Sequence, residues 1–186
     1  IGIAEDSSNP YLSLHGRGWL KIGEGVTNPS NESRQLSISA MPYYKTTLDG
    51  YLEINSGTWR NVYAGPYTGG ITGNGTLVFN GGIANKVGVV YNASMTGNAD
   101  ITINGGTVNT LCAGSLNTGT LSGTVDVILG GGTLKSNITT KNAQGYTVTL
   151  APSKGLTLDC SGTLTANTLT GGTLALAAGT QLKISE

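Results

Sequence analysis

Apolar positions alternate with polar ones in short bursts, and the bursts recur along the chain. Leu52-Glu-Ile54, Leu77-Val-Phe79, Ile101-Thr-Ile103 and Val127-Ile-Leu129 share one pattern. Each is followed by a turn-forming triplet: Asn55-Ser-Gly57, Asn80-Gly-Gly82, Asn104-Gly-Gly106 and Gly130-Gly-Gly132. The second apolar residue recurs at spacings of 25, 24 and 26. A period of two within each burst is that of a half-buried strand. A second burst brings Val62, Val87 and Leu111, then Ala64, Val89 and Ala113. A third brings Ile71-Thr-Gly73, Met95-Thr-Gly97 and Leu121-Ser-Gly123.

Each period therefore predicts three short β-segments separated by turns. One such unit cannot bury its own apolar face, whereas stacked units bury a continuous core. The expected fold is all-β: a single-stranded parallel β-helix of six to seven rungs of roughly 24 residues, three short strands each. Rungs are placed over 51–171, the most regular part. Residues 1–50 are read as an N-terminal cap, a first rung and a loop, and 172–186 as a partial C-terminal rung. Weaker copies of the first burst are assigned to Leu12-Ser-Leu14 and to Leu156-Thr-Leu158 with Gly162-Thr-Leu164. Asn55, Asn80 and Asn104 stand at equivalent corners, where stacked amides satisfy one another from rung to rung. His15 is assigned to the same corner position. One domain spans 1–186.

The repeated burst, turn and period over about 50–171 resemble the right-handed parallel β-helix of the pectin-lyase-like superfamily. The resemblance implies a right-handed coil. It also implies a choice among polysaccharide lyases, glycoside hydrolases, surface adhesins and non-catalytic carbohydrate-binding modules of secreted bacterial proteins.

Composition narrows the choice. The 186 residues carry ten basic and ten acidic groups, only 11 % charged in all. That excludes the basic footprint of a nucleic-acid binder. No apolar run approaches the length of a membrane span. Thirty glycines fit a chain of many corners. Beginning at Ile1, the chain is expected to be a mature fragment or excised module of a secreted or cell-surface protein, and a monomer.

The acids are scattered. Only Asp100 and Asp126 share a repeat position, which makes them neighbours in one column. The main reading is a strand start after a turn; the alternative is a cation site or a coupled carboxyl pair. Cys112 and Cys160 fall on different landmarks about two rungs apart, beyond bridging distance, so two free thiols are expected. No metal-ligand spacing or cofactor motif occurs.

The aromatics are concentrated before residue 92. Tyr43, Tyr67 and Tyr91 are spaced by 24 and 24, which predicts a ladder. Trp19 joins that ladder by counting, or pairs with Trp59 by motif. Trp59 itself has apolar repeat partners and is read either as a site residue or as core. By parity Tyr63 points outward between Val62 and Ala64, over Gly88 of the next rung, beside Arg60 and Lys86. The candidate ligand-binding set is Tyr43, Trp59, Arg60, Tyr63, Tyr67, Lys86 and Tyr91; no catalytic or metal-binding residue is assigned. Aromatic platforms with amides and cations match the C–H face and hydroxyl rim of sugars. The expected function is non-catalytic binding of a neutral plant polysaccharide, xylan first, targeting a covalently attached glycoside hydrolase. The alternatives are a lyase or hydrolase of the same superfamily, and a stalk or adhesin segment.

Overall fold

A computed structural model describes residues 11–12, 18–27, 36–41 and 49–185. The described residues form strands and turns with no helix. They wind into a parallel β-solenoid of about five turns. Every strand pair is parallel.

The first burst of each coil builds the first sheet. Gly18–Ile22, Gly50–Ile54 and Gly75–Phe79 lead into the start of Ala99–Cys112, the middle of Thr120–Leu134 and the end of Ala143–Leu150. Ile22, Ile54, Phe79, Ile103, Leu129 and Leu150 stack in one column. The second sheet stacks Leu36, Trp59, Ala84, Val108, Leu134, Leu158 and Leu176. The third stacks Ile71, Met95, Leu121 and Ala143. The inward residues Leu52, Ile54, Val62, Leu77, Phe79, Val87, Ile101 and Leu111 are wholly buried. Stacking gives each of them partners above and below as well as across the coil, so burial continues along the axis.

The corner between the first two sheets explains the recurring glycine. Gly57, Gly82, Gly106 and Gly132 have φ of 98°, 92°, 72° and 79°. A Cβ at Gly82, Gly106 or Gly132 would also stand on the backbone of the corner beneath. Only glycine satisfies both the left-handed dihedral and the close approach. Beside it runs the expected amide ladder: Asn80 Nδ2 donates to Asn55 Oδ1 at 2.9 Å, and Asn104 Nδ2 donates to Asn80 Oδ1 at 3.0 Å. Its lower end is anchored where Asn55 Nδ2 donates to the Ile22 carbonyl at 2.9 Å.

Three assignments differ from the expectation at the ends of the coil. The early copy of the first burst is Leu20-Lys-Ile22, which aligns with Leu52-Glu-Ile54. Leu12 instead pairs with Ile38 in the second sheet. Leu156–Leu158 also belongs to the second sheet, on Gly132–Leu134, not to the first. The coil shortens as its turns contract: Leu129 to Leu150 is 21 residues and Leu150 to Leu169 is 19. His15 lies outside the described residues.

Candidate functional site

The tyrosines of the expected site do meet, but they meet one another. Tyr67 and Tyr91 stack with centroids 4.9 Å apart and planes 4° from parallel. The 24-residue spacing thus gives a real ladder step; Tyr43 lies outside the described residues. Tyr63 sets its edge against both rings, at 5.6 and 6.1 Å. Parity sends it outward, away from the core, yet it is 0 % exposed. The shelf expected above Gly88 is therefore closed: Leu116 lies over Gly88, where a Cβ would strike it.

Burial pushes the Tyr63 phenol far above its usual range; Tyr67 and Tyr91 add to the rise, and Arg60 opposes it. Its hydroxyl has no hydrogen-bond partner among the described residues. Ser37 is near enough to temper the shift without meeting hydrogen-bond geometry.

Trp59 is core. It is 3 % exposed, stacks between Leu36 and the small Ala84, and donates Nε1 to the Ser56 carbonyl at 3.0 Å. Arg60 is exposed because the strand bulges there, with Trp59 opposite Leu36 and Asn61 opposite Ser37. Lys86 is exposed on the second sheet, between Asn61 and Thr110 of the neighbouring coils. Of the seven candidates, two are thus closed off from solvent, one lies outside the described residues, and four stay accessible in whole or part.

The outer face of the first sheet holds a second aromatic pair that the repeat count misplaced. Trp19 pairs in register with Tyr51, not with Trp59 or the Tyr67 column. The two rings stack at 6.3 Å and 24°. Trp19 is 63 % exposed, the most exposed large apolar residue among those described. The same outward column continues through Thr76, Asp100, Asp126 and Thr147. Coils repeat at about 4.8 Å, so the column is a straight row with an aromatic end and an acidic middle. Beside it Lys21 and Glu53 form an ion pair at 2.8 Å, and that hydrogen bond holds the Glu53 carboxyl below its ordinary range.

Asp100 and Asp126 are register partners. Partial burial, and then the charge of Asp126, raise the Asp100 carboxyl above its usual range. Thr147 Oγ1 donates to Asp126 Oδ1. Among the described residues no group of three His, Cys, Asp or Glu side chains gathers to hold a metal ion. Both cysteines are free and buried. Cys112 Sγ donates to the Ser115 carbonyl at 3.3 Å, and burial pushes its thiol pKa up.

No protein-family model matches the chain, and no curated protein or solved structure is significantly similar to it.

Proposed function

We propose that this chain binds a neutral polysaccharide, xylan first, without cleaving it. The glycan lies along the outer face of the first sheet. The observation that carries the reading is the exposed Trp19 ring, stacked on Tyr51 at the head of a straight polar row. An indole face accepts the C–H side of a sugar ring, while Thr76 and the carboxylates accept its hydroxyls. Successive row positions recur at about 5 Å, a step short enough to follow an extended chain sugar by sugar. Within this reading the coil is a right-handed member of the pectin-lyase-like superfamily. It acts as a monomeric module of a secreted or cell-surface protein, tethered to a catalytic domain. Affinity electrophoresis against xylan, cellulose, β-glucan and pectin tests it. Retardation on a neutral glycan that disappears in Trp19→Ala is the expected result; no retardation on xylan, cellulose or β-glucan overturns it.

A second reading, a glycoside hydrolase, is favoured by Asp100 and Asp126. Side chains one coil apart, near 4.8 Å, approach the carboxyl separation of about 5–5.5 Å used by retaining enzymes. Asp100, the carboxyl held up in pKa, takes the acid role, and Asp126 the nucleophile role. Release of reducing ends by the purified chain, lost in Asp126→Asn, establishes this reading; no release on any of the four glycans removes it.

A further inference from the structure

A cleft of about 380 Å³ opens on the outside of the second sheet, away from the Trp19 row. That volume falls in the range of small-molecule sites. Lys86 and Lys141 stand on its walls. Both are exposed, and the only ion pair among the described residues is Lys21–Glu53, so neither ammonium is neutralised by a carboxylate there.

The lining between them is uncharged and rich in hydroxyls. Thr139 Oγ1 donates to the Leu111 carbonyl at 3.4 Å, and Thr140 Oγ1 to the Ala113 carbonyl at 3.1 Å. Their protons are committed to backbone, so each oxygen is left as an acceptor. Leu116 adds an apolar patch. Cys112 also lines the cleft, and its raised thiol pKa keeps it neutral at pH 7.

The three elements describe one kind of guest. Two ammonium groups call for an oxyanion, acceptor oxygens for ligand hydroxyls, and Leu116 for a C–H face. A bare inorganic anion uses only the first. A polyanion is a poor match, because Lys86 is flanked along the axis by neutral Asn61 and Thr110. The positive charge does not repeat from coil to coil in that column.

We propose that this cleft is a binding site for a single acidic sugar unit, one pyranose ring carrying one carboxylate or sulfate. The oxyanion sits between Lys86 and Lys141, and the ring hydroxyls donate to Thr139 and Thr140. The site is separate from the Trp19 row, and the two stand or fall independently.

The test is a titration of the full chain, followed by amide chemical shifts and by calorimetry. The probes are methyl glucuronoside, methyl glucoside, glucose 6-sulfate, inorganic sulfate and polygalacturonate. Charge-assisted hydrogen bonds predict that at least one of the two acidic monosaccharides binds about tenfold or more tighter than methyl glucoside. The acid that wins identifies the oxyanion. Shifts concentrate at Lys86, Thr110 and Thr139–Lys141. Lys86→Gln and Lys141→Gln each remove most of that preference. Trp19→Ala leaves it unchanged. Lys86 and Lys141 side chains are exposed, so unaltered melting curves are expected; Lys86→Arg and Lys141→Arg, which keep the charge, retain the preference.

Equal affinity for the acidic and neutral glycosides overturns the proposal, as does a preference that survives both glutamine substitutions. Inorganic sulfate binding as tightly as the sugar acids shows that the ring contributes nothing, and overturns the saccharide assignment. Binding of polygalacturonate far tighter, per uronosyl unit, than of methyl glucuronoside overturns the single-charge argument. None of these outcomes touches the Trp19 reading, which is decided by neutral polymers alone.

Discussion

Asn80 donates its side-chain amide to the Oδ1 of Asn55, one coil away, at 2.9 Å. The contact converts a sequence repeat into an axial chain of bonds, since Asn80 also accepts from Asn104. Both groups are partly buried, so water replaces a lost partner poorly. Asn80→Ala breaks the chain in the middle and is expected to cost about 2 kcal/mol, roughly one for each side-chain bond. Asn80→Asp keeps the acceptor for Asn104 but loses the donor to Asn55 and sets a second carboxylate beside Glu53, so it is expected to cost at least as much as Asn80→Ala. Urea unfolding midpoints of the three proteins check the order.

Glycine is required at some coil positions and not at others. A Cβ at Gly75 would stand on the Ala64 carbonyl oxygen, whereas one at Gly145 meets nothing within 4 Å. The backbones of successive sheets must part to admit the first methyl. Gly75→Ala is expected to destabilise by about 2–3 kcal/mol, the scale of an overpacked core. Gly145→Ala is expected to be neutral or slightly stabilising, because it restricts the unfolded chain. Thermal melts of the pair separate steric need from mere glycine abundance.

How much of this was legible depends on which neighbour decides each position. The coil period, the Asn ladder and the Tyr67–Tyr91 step follow from residues that recur at fixed spacing. Tyr63 was legible in direction but not in burial, because the rings that close over it come from a turn and from the next coil. Trp19 was misplaced because the turn after Leu20-Lys-Ile22, Gly23-Glu-Gly25, lacks the Asn that marks the next three corners. The match of Leu20-Lys-Ile22 to Leu52-Glu-Ile54 was the signal that fixes its register. The cleft carries no local signal at all. Lys86 and Lys141 come together through coil stacking and the turn that follows Ile138–Thr139.

Partial burial and, after it, repulsion by Asp126 disfavour the Asp100 carboxylate, so the folded chain holds the Asp100 proton more tightly than the usual 3.8. In the pH window just above that value the native state binds more protons than the unfolded state. Stability therefore falls as pH rises through the window. Asp100→Asn removes the repulsion. It is expected to gain a few tenths of a kcal/mol at pH 7, the small scale of exposed charge pairs, and nothing at pH 3. Asp126→Asn relieves the same repulsion but weakens the bond from Thr147, so its gain is smaller. Unfolding midpoints from pH 3 to 7 read the difference; a larger gain at pH 3 than at pH 7 contradicts it.

Tyr63 joins a well-packed ring to a hydroxyl with no partner among the described residues. The two parts act in opposite directions on stability. The buried ring packs edge-on against the stacked Tyr67 and Tyr91, so Tyr63→Ala is expected to cost about 3–5 kcal/mol. The hydroxyl is desolvated without return, so Tyr63→Phe is expected to stabilise by about 1 kcal/mol. Alkaline pH gives a second, independent reading. The raised phenol stays protonated in the folded chain while the unfolded chain ionises near 10. Stability from this group is therefore whole below about pH 10 and is lost as pH rises beyond it. Tyr63→Phe removes that loss and shifts the alkaline unfolding limit upward. Tyrosinate absorbance should show one phenol fewer titrating near pH 10 in the folded wild-type chain than in the unfolded chain. A Phe variant less stable than wild type at pH 7 would mean that the hydroxyl is hydrogen-bonded after all.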